Sequence, residues 1–245
     1  MSTVPRIARV GSPEAALVST TVEAFIRPLQ HGYREDHSAA VATLARLRRG
    51  AGRRAHEVPD LWGVTGLDDL LERLDAPEWE EAKGVNLTWA EEALQLAVTL
   101  WALHQQSHRD MDMHVSGYGL GRAVRTLMSA KVRSGQVASQ QAAGDTASPP
   151  PSALEMNEPL RRRFVRVSTA AALPALGERL REIVMLLRGA DIPLDYARLA
   201  GEIYRWQSPA GRAEVHRSWG RDFHLARPRG DRSRAETPAP SGSDR

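Results

Sequence analysis

Residues 116–133 read SGYGLGRAVRTLMSAKVR, a glycine-punctuated turn that runs straight into a helix with one apolar and one arginine side. Leu120, Ala123, Val124 and Leu127 recur at the helical period, while Arg122, Arg125 and Arg133 project together on the other side at about 100° per residue. Gly117, Gly119 and Gly121 invite a dinucleotide-loop reading, but that fingerprint needs a strand before it and an acidic residue about 20 residues after it. The preceding TWAEEALQLAVTLWALHQQSH is helical in length and composition, and the region that follows is AAGDTASPPP. The glycines therefore read as a helix entry at which two backbones approach closely.

The same period governs the chain on both sides of this turn, and strand signals are weak, which predicts an all-α protein. Ser12-Pro13-Glu14 caps a helix that carries Leu17, Val18, Val22, Phe25 and Ile26 and is expected to stop at Pro28. A second helix covers residues 38–49, and short acidic pieces follow between Pro59 and Lys83. Thr88, through a Thr88–Glu91 capping box, opens an almost wholly apolar helix expected at the buried centre of an N-terminal bundle. Residues 134–156, small, polar and proline-bearing, read as a flexible connection. After it, Asn157 caps a helix with Leu160, Phe164 and Val167 on one face and Arg162, Arg163 and Arg166 on another. Leu173, Leu176, Leu180, Ile183, Val184 and Leu187 define the next helix, and Met185 and Leu186, off that stripe, call for a second covering neighbour. Asp191 is the expected cap of a helix starting at Pro193, and a last helix carries Trp219 and Phe223. The expectation is an all-α protein of two small helical-bundle subdomains, residues 1–133 and 157–226, joined by the flexible Pro-rich connection and followed by a disordered tail, 227–245.

Composition removes several chemistries. The 245 residues include no cysteine, which excludes disulfides, thiolate metal sites and cysteine nucleophiles and suits a cytoplasmic protein. No apolar run reaches the roughly 18 residues of a membrane span, and the first residues lack an apolar signal core. Formal charge is only +3, yet residues 61–110 carry 3 basic and 10 acidic side chains whereas 111–226 carry 16 and 11. Only Lys83 and Lys131 are lysine, so nearly all the positive charge is arginine, whose fork binds phosphate in a bidentate way. A GC-rich genome enriches arginine too, and a cation at a helix C-terminus suits the dipole, which accounts for Arg48 and Arg49 without a ligand. The AGRRAH that follows adds Arg53 and Arg54, a basic corner that the dipole does not require.

Catalytic signals are sparse. In HQQSHRDMDMH, His104 and His108 lie four apart and Asp112 extends their face, the spacing a divalent metal would use, but there is no HExxH pattern. A metal-dependent hydrolase using His104 and His108 is one alternative. A helix-turn-helix DNA-binding regulator is another, since ARLAGEIYRWQSPAGRAEVHRSW places two short helices around a turn. Against it, Val215 and Trp219 fall in a pattern that suits burial. No nucleophile elbow or Walker-type lysine loop is present. The reading is a non-enzymatic chain with no catalytic residue, cofactor or metal.

The ordered set SGYGLGRAVRTL, RRRFVRV, LPALGERLREIVMLLRGADIPLDYARLAGEIYRW and HRSWGRDFH resembles the small-subunit (CasB) family of the type I-E CRISPR Cascade surveillance complex, over roughly residues 88–224. LARLRRG near residue 44 resembles that family's N-terminal basic motif. The resemblance implies a non-catalytic structural subunit, present as two copies beside the Cascade backbone subunits and the large subunit. It also implies contact with CRISPR RNA and target DNA, without sequence preference, that stabilises the displaced strand of the R-loop. Carried over by position, Arg48 and Arg49 match the N-terminal basic motif, Arg122 the glycine-leucine-glycine-arginine turn, and Arg162, Arg163 and Arg181 basic positions of the C-terminal bundle. Arg53, Arg125 and Arg166 join them by their shared polar faces. Glu182 departs from the pattern, standing where a second basic residue can follow Arg181.

Overall fold

The structure is a computed structural model that describes residues 12–61, 63–141 and 153–225, with the backbone alone described at 133–141 and 153–156. Its helices are α1 (Pro13–Arg34), α2 (Ser38–Leu47), α3 (Leu67–Leu74), α4 (Leu87–Gln105), α5 (Leu120–Gln141), α6 (Ala153–Ser168), α7 (Leu173–Arg188), α8 (Tyr196–Trp206) and α9 (Pro209–Leu225). Short 3₁₀ turns occupy Arg48–Gly50, Ala55–Glu57, Pro59–Leu61 and Pro77–Ala82. The all-α expectation holds. Among the described residues the single β-type pairing is a parallel bridge between His114 and Leu194, and no helix is long and apolar enough to cross a membrane.

Local chemistry moves several expected boundaries. Ser12 caps α1 by accepting from the Ala15 amide at 3.3 Å, as read, but α1 runs through Pro28 to Arg34. Pro28 removes only the bond to the Ala24 carbonyl; both residues are exposed, so water serves the freed acceptor. Burial of Ile26, Gln30 and Tyr33 then continues the helix. Asn86, not Thr88, caps α4, its side chain accepting from the Trp89 amide at 3.1 Å. Asn157 and Pro159 lie inside α6, which begins at Ala153, while α5 continues to Gln141. The expected flexible connection is thus helical at 134–141 and 153–156; residues 142–152, like the tail at 227–245, lie outside the described residues. α8 starts at Tyr196 behind Asp195, because Leu194 is drawn into backbone hydrogen bonds with Met113 and Val115, and Asp191 sits in a turn at φ 53°. Met185 is 41% exposed, without the expected second covering neighbour among the described residues, whereas Leu186 is half-buried.

α4 is the axis of the molecule. From Glu92 to Gln105 every residue is buried, and α1, α2, α7 and α8 all pack on it. α8 lies between α1, α4 and α9 and is almost as enclosed. The helices before and after residues 142–152 therefore share one apolar cluster that includes Leu17, Leu94, Trp101, Leu127, Leu180, Ile203 and Trp219. The opening glycine turn docks α5 on α9: a Cβ at Gly121 would stand 2.1 Å from the Trp219 carbonyl oxygen and 2.6 Å from the Phe223 amide nitrogen. Only hydrogen fits there, as the sequence reading required.

Candidate nucleic-acid interface

The nine arginines singled out by the sequence fall into two groups, one on each flank of α7. On the first flank, α2 ends at Leu47 and the chain tightens into the 3₁₀ turn that carries Arg48 and Arg49. Gly52 then takes a left-handed φ of 84°, and a Cβ there would meet Cδ of Arg181 at 3.1 Å. The neighbouring α7 residue Gly177 is equally close, its virtual Cβ 3.2 Å from the Gly52 carbonyl oxygen. Arg181 is thereby set beside the turn that carries Arg53, a neighbourhood 128 residues apart in sequence and invisible to it. Arg53 is exposed and donates through Nη2 to the Glu57 carbonyl at 2.8 Å.

The second group surrounds an aromatic contact between helices. Phe164 of α6 stacks on Phe223 of α9 with ring centroids 5.5 Å apart, and the Arg125 guanidinium lies 5.6 Å from the Phe223 ring. Arg122, half-buried, covers Tyr118 at 4.4 Å, a cation–π contact that fixes the side chain while leaving its N–H groups available. Arg162, Arg163 and Arg166 are exposed on α6, as the wheel predicts. Glu158 pairs with Arg162 at 2.9 Å and lies 3.7 Å from Arg161; the hydrogen bond from Arg162 leads in lowering the Glu158 pKa. The Arg166 carbonyl accepts from Arg179 of α7, which ties this group to that helix.

Arg179 and Arg181 are two residues apart on α7 and so point about 200° apart. The exposed ridge between them carries Glu178, Glu182 and Met185. Some arginines elsewhere are paired with carboxylates, Arg27 with Glu23, Arg34 with Asp112, Arg54 with Glu92, Arg109 with Asp36, and Arg198 with Glu202 and Asp222, while Arg46, Arg179, Arg188 and Arg212 donate to backbone carbonyls. Of the nine candidates, all but Arg162 have no carboxylate partner among the described residues. Arg217 and Arg221, outside the sequence reading, are also exposed without a carboxylate partner among the described residues, one turn apart on the outward side of α9. Their i, i+4 spacing was the available signal. Arg133 belongs to the residues described by backbone alone.

The metal and helix-turn-helix alternatives meet specific geometry. His104 Nδ1 lies 2.8 Å from the Tyr196 hydroxyl, deep in the core, and His108 Nε2 lies 2.8 Å from Asp191 on another loop. The two rings serve different partners. Burial, with the charges of His108 and Arg188 adding to it, holds the His104 pKa down to about 3. Among the described residues, the donor group that does come within metal reach is Glu23, His114 and Asp195. His114 Nδ1 accepts the Tyr196 amide at 3.1 Å, so Nε2 carries the proton and donates to Glu23 at 2.8 Å. Both Asp195 oxygens accept backbone amides, Arg198 at 2.9 Å and Gly117 at 2.6 Å. A metal would find no lone pair on Nε2, and the trio acts instead as a clasp between α1, the glycine turn and α8. α9, the recognition helix of a helix-turn-helix, buries Val215 and Trp219 and packs along α5 and α8.

Residues 43–224 match the family model described as CRISPR-associated protein Cse2, a span that holds all nine arginines. The crystal structure of CasB from Thermobifida fusca is similar, with 42% sequence identity and a TM-score of 0.64, over 85% of this chain and 98% of that one. No curated protein matches this chain.

Proposed function

The chain belongs to the CRISPR-associated Cse2 (CasB) family, and from that premise we propose that it is a non-catalytic structural subunit of the type I-E CRISPR Cascade complex that binds nucleic-acid backbone. Its ligands are CRISPR RNA and target DNA, met at the two arginine groups, and its effect is to stabilise the displaced strand of the R-loop. It sits in the cytoplasm among the Cascade backbone subunits, the large subunit and a second copy of itself. The observation that carries this reading is the state of the candidate arginines: among the described residues eight of the nine, all but Arg162, have no carboxylate partner, whereas Arg34, Arg54, Arg109 and Arg198 are each neutralised by one.

An R-loop exchanges one duplex for another of nearly equal stability, so a few backbone contacts decide whether it persists. About four neutralised phosphates on single-stranded DNA give a log–log salt slope near −2.8 and roughly a 50-fold affinity loss from 50 to 200 mM salt. Reversing Arg122 and Arg163 to Glu removes two cations from the second group. Titration of the full chain against mixed-sequence single-stranded DNA should show affinity down by at least tenfold and the slope shallower by about 1.4. Unchanged affinity at low salt would reject the reading, and preference for one sequence would favour the helix-turn-helix regulator.

A further inference from the structure

Glu92 stands out in α4 because it is the one carboxylate in the buried run from Glu92 to Gln105, only 6% exposed. A buried carboxylate survives only where hydrogen bonds replace its water. Here Oε1 accepts from Arg54, with Nε and Nη2 both at 3.0 Å, and Oε2 meets the Ala55 amide at 3.4 Å. His56 Nδ1 stands 3.8 Å away. One and two turns further along the same face of α4, Gln95 and Thr99 close on Gly50, whose virtual Cβ would lie 2.8 Å from Gln95 Nε2 and 3.1 Å from Thr99 Cγ2. The segment from Gly50 to Glu57 is therefore held at both ends by one stripe of α4, through Gly50 at one end and Arg54–Ala55 at the other. Between the two anchors, Gly52 is pressed on Gly177 and Arg181 of α7, and Arg53 is exposed, with Nη2 on the Glu57 carbonyl. Of the adjacent pair Arg53 and Arg54, only the first is presented outward; the second is turned in to the carboxylate.

We propose that Glu92 is the positioning residue of the first arginine group: through Arg54 it locks the 50–57 segment so that Arg48, Arg49 and Arg53 stand as one set with Arg181. Arg54 is a tether in this arrangement and touches no phosphate. The inference rests on the nucleic-acid reading given above, and its test separates the two. Arg54→Ala, Glu92→Ala, the double variant and the near-isosteric Glu92→Gln are titrated as full chains against a mixed-sequence single-stranded DNA oligonucleotide across salt. Amide hydrogen exchange of residues 51–57 is followed in parallel without DNA. A tether requires that each single Ala variant lose about tenfold in affinity, flatten the salt slope by about 1.4, two contacts' worth, and that the double lose no more than either single. Exchange at 51–57 should accelerate in all four variants, least in Glu92→Gln, which keeps one acceptor oxygen.

Two results overturn it. Equal or tighter binding by Glu92→Ala and Glu92→Gln would make Glu92 a mere nearby negative charge. A slope change of about 0.7 confined to Arg54→Ala would make Arg54 itself a phosphate contact. If the wild-type chain shows no salt-dependent binding, the nucleic-acid reading fails, while faster exchange at 51–57 in the variants still identifies the tether and unchanged exchange refutes it.

Discussion

His104 is a base placed where its charged form cannot be solvated. With no exposed surface and Nδ1 committed to Tyr196, it is held at a pKa of about 3 against an ordinary 6.5. The folded chain thus declines a proton that the unfolded chain accepts, so stability falls as pH drops from 6.5 toward 3, by about 1.4 kcal/mol per pH unit. Glu23 acts in a different window. The hydrogen bond from His114 leads in lowering its pKa from 4.5 to about 2, a stabilisation complete above 4.5 and lost only as pH falls toward 2. Between pH 6.5 and 4.5 His104 is therefore seen without Glu23, with His216, whose pKa is also depressed by burial, adding in the same direction. Urea unfolding across that interval should give a shallower pH dependence for His104→Gln than for wild type, by up to about 1.4 kcal/mol per unit. Equal slopes would mean that the ring titrates in the folded protein. None of this was visible in HQQSHRDMDMH, where spacing paired His104 with His108; the Tyr196 that claims His104 is 92 residues away.

At the scale of elements, the periods were legible and the ends were not. Leu160, Phe164 and Val167 are buried together as their spacing required, and so are Leu176, Leu180, Ile183, Val184 and Leu187. A repeating apolar stripe records which face meets the core, and many residues report it at once. A helix end turns on one or two hydrogen bonds, and these are settled by what lies opposite. Pro28 failed to stop α1 because burial beyond it outweighs one lost bond, and Asp195 displaced Asp191 as cap because Leu194 pairs with the 113–115 strand-like segment. The glycine turn is a case where the local reading was right about the cause. Its consequence can be measured on two neighbouring helices. Gly121→Ala puts a methyl 2.1 Å from the Trp219 carbonyl oxygen and should destabilise by about 2 to 3 kcal/mol, as overpacking does, after any gain in helix propensity. Gly220→Ala, inside α9 with nothing within 4 Å of the added carbon, should stabilise by about 0.5 to 1 kcal/mol. Thermal unfolding of both variants decides it: a shift of the same sign would remove close approach as the reason for glycine at 121.

For the molecule as a whole, the exposed faces of the candidate arginines were legible and their arrangement was not. Exposed arginine faces on α5 and α6 follow from the helical wheel, but the adjacency of Arg181 to Gly52 exists only because the chain after α2 and helix α7 both pack on α4. The same packing divides the arginines, with Glu178 and Glu182 on the α7 ridge between the groups. That ridge gives the division an electrostatic consequence. A strand whose backbone crosses from one group to the other passes two exposed carboxylates, each worth about 0.2 to 1 kcal/mol of repulsion at a solvated surface. Neutralising both, as Glu178→Gln with Glu182→Gln, should tighten binding of a single-stranded DNA long enough to reach both groups by several-fold. The effect should shrink with added salt, because surface charge is screened within about 10 Å at 0.1 M. A short oligonucleotide that occupies one group alone should be nearly indifferent to the same change. Anisotropy titrations with the two lengths make the distinction: tightening confined to the longer strand means that one backbone spans α7, and no tightening at either length means that the two arginine groups hold separate strands.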